Sequence, residues 1–126
     1  MSTRDLAGTP LWRPHLLPHL EGEEEAPEIL RLDGLSADAL GGEREVLVAL
    51  PPAPVRPGRR FPVVYMHDGQ NLFDPHTAYA GDWGVGGTLA HYARKGRYAI
   101  VVAVYNGRER RIDEYAPFAD MLRRGG

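Results

Sequence analysis

Residues 61–74 read Phe-Pro-Val-Val-Tyr-Met-His-Asp-Gly-Gln-Asn-Leu-Phe-Asp, and they decide how the rest of the chain is read. The first part, Phe61–Met66, is apolar on both faces. That pattern suits an interior strand of a parallel sheet better than a strand with one wet face. The run then breaks into polar residues around Gly69, where a glycine lets the backbone turn sharply and approach a ligand closely. A second apolar run, Tyr98–Tyr105, is the most apolar part of the chain and also ends in polar residues, Asn106-Gly107. Between the two lies a helix pattern. Thr88 can cap it after Gly86-Gly87, with an alternative start at Asp82. Leu89, Tyr92 and Ala93 fall at helical spacing, Arg94 and Lys95 suit the C-terminal dipole, and Gly96 sits where a C-cap glycine belongs. Strand, loop, helix, strand is a βαβ unit with a right-handed crossover. Its two polar clusters leave the same edge of the sheet, where ligands gather in α/β proteins.

Upstream, Glu28–Leu32 alternates like a short strand, Asp33-Gly34 opens a turn, and Ser36-Ala37-Asp38 continues a polar connection. Glu43–Leu50 is a second strand, with Val46, Val48 and Leu50 on one face. These two are expected to pair antiparallel. Pro51-Pro52-Ala53-Pro54 and Pro57-Gly58 then form an extended loop. Residues 1–25 carry Pro10, Pro14 and Pro18, then Glu21, Glu23, Glu24 and Glu25, and are expected to be a disordered or loosely packed tail. Residues 26–126 are expected to hold the folded domain. The class is α/β: an antiparallel strand pair followed by β-α-β.

Composition sets outer bounds. The chain has 126 residues, 43 % apolar and 25 % charged, with 15 Lys+Arg against 17 Asp+Glu. That balance lacks the basic excess of a nucleic-acid binder, so no nucleic-acid partner is expected. No run approaches the roughly 20 apolar residues of a membrane span, and the start lacks a secretory signal pattern. The expectation is a cytoplasmic protein with no membrane partner. There is no cysteine, which excludes disulfides, thiolate metal sites and cysteine nucleophiles. His67-Asp68, with Asp74 and His76 nearby, invites a metal reading. Adjacent strand residues point to opposite faces, however, so no metal site is expected.

The strings PVVYMHDGQNLFD (62–74), Trp83 and VVAVYNGRERRIDEYAP (101–117), preceded by GGEREVLVALPP (41–52), resemble the esterase family of α/β-hydrolases. This family is similar to enterochelin esterases, S-formylglutathione hydrolases, feruloyl esterases and mycolyltransferases. The resemblance runs from about Ile29 to Pro117 and implies a partial α/β-hydrolase sheet. It implies hydrolysis of a small-molecule carboxylic ester through a serine acyl-enzyme, with no cofactor. By the same match Gln70 supplies an oxyanion-hole backbone N–H and Gly69 allows the turn. Asp68, Asn71, Trp83, Asn106, Arg111, Glu114 and Tyr115 are implied to line or brace the substrate site. The bland alternatives are turn-forming roles for Asn71 and Asp74, loop-amide bonding for Asp68, burial for Trp83 and an Arg111–Glu114 pair.

The chain departs from the family pattern in lacking a nucleophile. The serine-hydrolase order is Ser, then Asp or Glu, then His, all expected beyond the fourth strand. The serines present are Ser2 and Ser36. Gly34-Leu35-Ser36-Ala37-Asp38 misses Gly-x-Ser-x-Gly at its last position, and Ser36 sits between two strands. The expectation is the N-terminal half of an esterase-like domain, inactive alone and completed by a C-terminal half. The alternative is a non-catalytic binding or oligomerisation module on an esterase-derived fold. Either way Phe61–Met66 is expected to be an exposed apolar edge through which a homo-oligomer could form.

Overall fold

The structure is a computed structural model and describes residues 11–37 and 42–116. Five strands form one mixed sheet: β1 (Trp12–Pro14), β2 (Glu28–Ala37), β3 (Gly42–Leu50), β4 (Val63–Met66) and β5 (Ile100–Val104). Their order is β1-β2-β3-β5-β4. The first four in that order pair antiparallel, and β4 pairs parallel to β5, with Val63 opposite Ile100. Two short helices, α1 (Val85–Ala93) and α2 (Arg111–Tyr115), complete a small α/β fold. Among the described residues no helix is long and apolar enough to cross a membrane.

The expected antiparallel pair and β-α-β unit are present, with shifted details. β2 does not end at Leu32. It continues to Ala37 through a register shift between Leu32 and Leu35, where Gly34 takes a φ of 73°. A bulge thus replaces the expected turn, because an extra residue in αL lets a strand bend without ending. Ser36 is consequently a strand residue opposite Glu43. Asp38 and Gly41, read as part of the connection, lie outside the described residues, as does Pro117.

On β3 the core face is Leu47 and Ala49 rather than that of Val46, Val48 and Leu50. Leu47 and Ala49 join Ile29, Leu72, Phe73, Val101, Ala103, Tyr105 and Leu17 in one buried cluster, with Val85 and Leu89 of α1 packed against it. The opposite face keeps Val46 buried but leaves Val48 and Leu50 half-buried. Helix α1 lies on the Leu47 face, which explains why that face is the better covered.

Helix α1 begins at Val85, preceded by Gly84 in αL, with no side-chain cap. Asp82 Oδ2 accepts the Gly84 N–H at 3.1 Å, just outside the helix. Thr88 is inside it and donates its hydroxyl to Gly84 C=O at 2.9 Å, so it is not a cap. The far end matches expectation. Gly96 N–H donates to Ala93 C=O (2.9 Å) and Arg97 N–H to Tyr92 C=O (3.0 Å), a Schellman closure on Gly96 at φ 73°.

Residues 11–25 are not a loose tail, while residues 1–10 lie outside the described residues. β1 pairs with β2, Leu17 is buried in the core, and Leu20 lies against Gly86 of α1. A Cβ on Gly86 would come within 2.6 Å of Leu20 Cδ1, so this glycine makes room for the arm. Arg94 then holds the acidic run, reaching Glu23 Oε1 at 3.2 Å and Glu24 C=O at 3.1 Å. Proline spacing and charge masked two leucines whose burial offsets the cost of ordering the arm.

Candidate functional site

The site is built where β4 and β5 end side by side. β4 stops at Met66, and Asp68 takes φ 57° and ψ 46° before a 3-10 turn over Gly69–Asn71. The sharp left-handed step falls on Asp68, not on Gly69 as the sequence led us to expect. Gly69 serves a different need. A Cβ there would stand 2.9 Å from Ala103 C=O and 3.0 Å from the Tyr105 ring. The turn is thus pressed directly onto the backbone of β5, and only glycine fits. An aspartate in αL is costly by roughly 1 kcal/mol and persists where its surroundings hold it.

Those surroundings are side chains rather than the loop amides expected as Asp68's partners. Its carboxylate accepts from Arg111 Nε (2.9 Å) and Nη2 (2.8 Å), Asn106 Nδ2 (2.9 Å) and the Tyr115 hydroxyl (3.0 Å). The Arg111 hydrogen bonds, seconded by those from Asn106 and Tyr115, hold the Asp68 carboxyl far below the usual carboxylate range, against the effect of burial. In return Asp68 raises the Arg111 pKa, and burial together with Asp68 raises that of Tyr115. The His67 ring packs against Tyr115, with centroids 5.2 Å apart.

Gln70 and Asn106 form a reciprocal pair that ties the two loops. Gln70 Nε2 donates to Asn106 Oδ1 at 2.7 Å, and Asn106 N–H donates to Gln70 Oε1 at 3.0 Å. Asn106 Oδ1 also accepts the Arg108 N–H at 2.8 Å. Asn71 organises the loop before α1. Its Oδ1 accepts the Tyr79 N–H (3.0 Å) and its C=O the Trp83 N–H (2.8 Å). Asp74 Oδ1 accepts the His76 N–H at 2.8 Å, the local turn bond its residue type favours.

An open cleft of about 1050 Å³ lies over this network. Asp68, Gln70, Asn71, Asn106 and Arg111 line it, so five of the nine predicted positions converge. Gly69 lies beneath, packed on β5. Tyr115 reaches the network through its hydroxyl. Trp83 lies away from the cleft and is 72 % exposed, neither a pocket wall nor buried against α1. Glu114 does not pair with Arg111. It forms an ion pair with Arg44 of β3, the two side chains being only 6 % and 13 % exposed. A side chain on Gly107 would run into the Glu114 carboxylate.

Several residues of the site were invisible to sequence reasoning. Arg44 fastens α2 to the sheet from 70 residues away. Arg31 reaches Asp33 Oδ1 (2.7 Å) and Glu45 Oε2 (2.8 Å) and lies over the Tyr105 ring, walling the cleft. The β2–β3–β5 register is the signal that could have found them, because it brings Arg31, Glu45 and Tyr105 together near one edge. No group of three or more His, Asp or Glu side chains among the described residues is arranged to hold a metal ion.

A small α/β fold with a polar cleft at the C-terminal ends of adjacent parallel strands defines the class. The chain belongs to the esterase family: residues 36–123 match the family model described as "Putative esterase". No curated protein and no solved structure matches it.

Proposed function

We propose that this chain forms part of a serine-type α/β-hydrolase site acting on small carboxylic esters, and that its Asp68–Asn71 turn provides one oxyanion-hole donor, the Gln70 N–H. One observation carries the reading: the turn is locked in place by Asp68 and by the Gln70–Asn106 pair. The internal bonds of the turn begin at the Asn71 N–H, which donates to Asp68 C=O at 2.8 Å. The Gln70 N–H therefore precedes them at the open end of the turn. A donor of this kind works by being fixed before charge develops on the carbonyl oxygen, and one such donor is worth about 2.7–4 kcal/mol. The family match supports the same reading.

In the reaction a serine oxygen attacks the ester carbonyl, and its proton passes to a histidine. The tetrahedral oxyanion collapses to an acyl-enzyme as the alcohol leaves carrying that proton. Water then releases the acid by the same two steps. The chain supplies the oxyanion turn and part of the cleft. Ser36 is in strand β2 rather than on a strand-to-helix elbow, so the nucleophile is proposed to come from outside these 126 residues.

Two measurements test this. Titration of the ¹⁵N-labelled chain with a short alkylphosphonate, a stable oxyanion mimic, should shift the Gly69 and Gln70 amide signals. Gln70→Pro should remove the effect, and unmoved amides would overturn the assignment. The chain alone should show no turnover of p-nitrophenyl butyrate. Turnover abolished by a serine-directed phosphonate would place a nucleophile inside the chain and refute that part of the reading.

A further inference from the structure

Three arginines line the cleft, and two of them are already engaged. Arg31 reaches Asp33 and Glu45, and Arg111 is forked onto Asp68. Arg108 makes no ion pair with a carboxylate among the described residues, although Glu109 lines the cleft beside it.

The backbone at Arg108 is unusual as well. Its φ is 57°, in the left-handed region where a Cβ crowds the following carbonyl and glycine does not. Gly107, one residue earlier, has an ordinary φ of −79° and leaves room for the Glu114 carboxylate instead. The Arg108 N–H donates to Asn106 Oδ1 at 2.8 Å, and the same oxygen accepts from Gln70 Nε2. The strained residue is thus held by the network that locks the Asp68–Asn71 turn. A long charged side chain kept in a conformation suited to glycine is characteristic of ligand clamps.

A second group in the same wall lacks a partner. Tyr105 lines the cleft and is only 6 % exposed, and its hydroxyl is buried with no hydrogen-bond partner. Buried hydroxyls are normally paired. Burial raises the Tyr105 pKa, and Arg31 and Arg108 oppose that rise, so Arg108 is within electrostatic reach of the hydroxyl. Neither feature depends on the outer edge of β4. The Tyr105 N–H donates to Glu45 C=O at 3.0 Å, and Arg108 borders a smaller hollow with Arg44 and Glu45. Both residues therefore sit on the β3 side of β5, and β4 is on the other side.

We propose that Arg108, together with the Tyr105 hydroxyl, binds a free carboxylate on the ester substrate, which, resting on the ester reading above, narrows the substrate class to carboxylate-bearing esters. A guanidinium presents two parallel N–H donors that match the two oxygens of a carboxylate, and the phenol O–H adds a third. A carboxylate suits the cleft better than a phosphate because Glu45, Asp68 and Glu109 line it too. Their charge opposes a dianion about twice as strongly as a monoanion.

The test titrates the ¹⁵N-labelled chain with three esters. Monomethyl succinate carries its carboxylate on the acyl part, acetoxyacetate carries it on the alcohol part, and methyl butyrate is neutral. At least one anionic ester should bind about tenfold tighter than methyl butyrate and shift the Arg108 Nε–H signal. Whichever does so identifies the part of the ester that faces Arg108. Arg108→Gly should keep or raise the urea midpoint, because glycine accepts the left-handed backbone, and should abolish the preference. Tyr105→Phe should reduce the preference severalfold, and an unchanged preference would remove the hydroxyl from the proposal. Equal binding of charged and neutral esters overturns the inference. So does a preference that survives Arg108→Gly, or a urea midpoint that falls in that variant and so gives Arg108 a structural role. The ester reading fails at a different place, the Gly69 and Gln70 amides unmoved by alkylphosphonate, so the two failures are distinguishable.

Discussion

Replacing Asp68 with Asn isolates the charge at the centre of the network. Asn tolerates the left-handed backbone of position 68 as well as Asp does, so the φ of 57° costs nothing extra. The substitution leaves one acceptor oxygen where three donor side chains converged. The Arg111 fork is 45 % exposed, so water screens it and its loss counts for little. Weakening the part-buried Asn106 bond and the exposed Tyr115 bond costs roughly 0.5–1 kcal/mol each. Together the loss is about 1–2 kcal/mol, read as a lower urea midpoint at pH 7 with an unchanged m-value. The pH dependence gives a second and sharper readout. Asp68 titrates lower in the folded state than unfolded, so its stabilisation is present above the unfolded value of about 3.9. It is lost as the pH falls toward the depressed folded value. The gap between the two proteins should therefore be constant from neutral pH down to about pH 5 and close below pH 4. A gap below about 0.5 kcal/mol at pH 7, or one that persists unchanged at pH 2, would refute the hub role of Asp68.

Three further substitutions probe the parts around it. Gly69→Ala drives a Cβ to 2.9 Å from Ala103 C=O, a backbone atom that cannot step aside. It should cost about 2–3 kcal/mol and disperse the Gln70 and Asn106 amide signals in an NMR spectrum. Glu114→Gln leaves Arg44 largely buried without its counter-charge and should cost about 3 kcal/mol in urea unfolding. Gly86→Ala meets only the tip of the Leu20 side chain, and the helix propensity gained is about 1 kcal/mol. Alone it should be close to neutral in thermal melts. On a Leu20→Ala background it should stabilise clearly, and a further loss there would contradict the space-making role of Gly86.

The parts legible in the sequence were those that hydrophobic patterning alone fixes. Two apolar runs bracketing a glycine-capped helix gave β4, α1 and β5, because continuous apolar runs of strand length bounded by turn residues leave few other solutions. Register was not legible in the same way. Leu35 fits a strand only once Gly34 bulges, and a lone Asp-Gly reads more simply as a turn. Helix α2 escaped notice because Arg-Ile-Asp-Glu-Tyr is too short and polar to show a helical face. Its position comes from Arg44 and Asp68, which only the folded sheet brings near. For the site, sequence named Asp68, Gln70, Asn106, Arg111 and Tyr115 but not who bonds to whom. Hydrogen-bond partners 36–47 residues apart leave no local periodicity.

The division of labour between Asp68 and Gly69 explains why the turn needs both. Had Gly69 carried the left-handed step, position 68 could be any residue, and the turn would be as free as glycine allows. With the step on Asp68, the residue that bends the chain is also the one that Arg111, Asn106 and Tyr115 hold. Gly69 then lets the following peptide rest on β5 without a side chain between, and Gln70 is gripped at both ends of its amide by Asn106. The backbone amides of the turn are thereby fixed from two strands at once. Rigidity of that kind is what a group must have to stabilise charge that exists only transiently, since a donor that must first reorient gives back most of what it contributes. A turn serving stability alone could be held by its own backbone bonds, with far fewer side chains ordered at entropic cost.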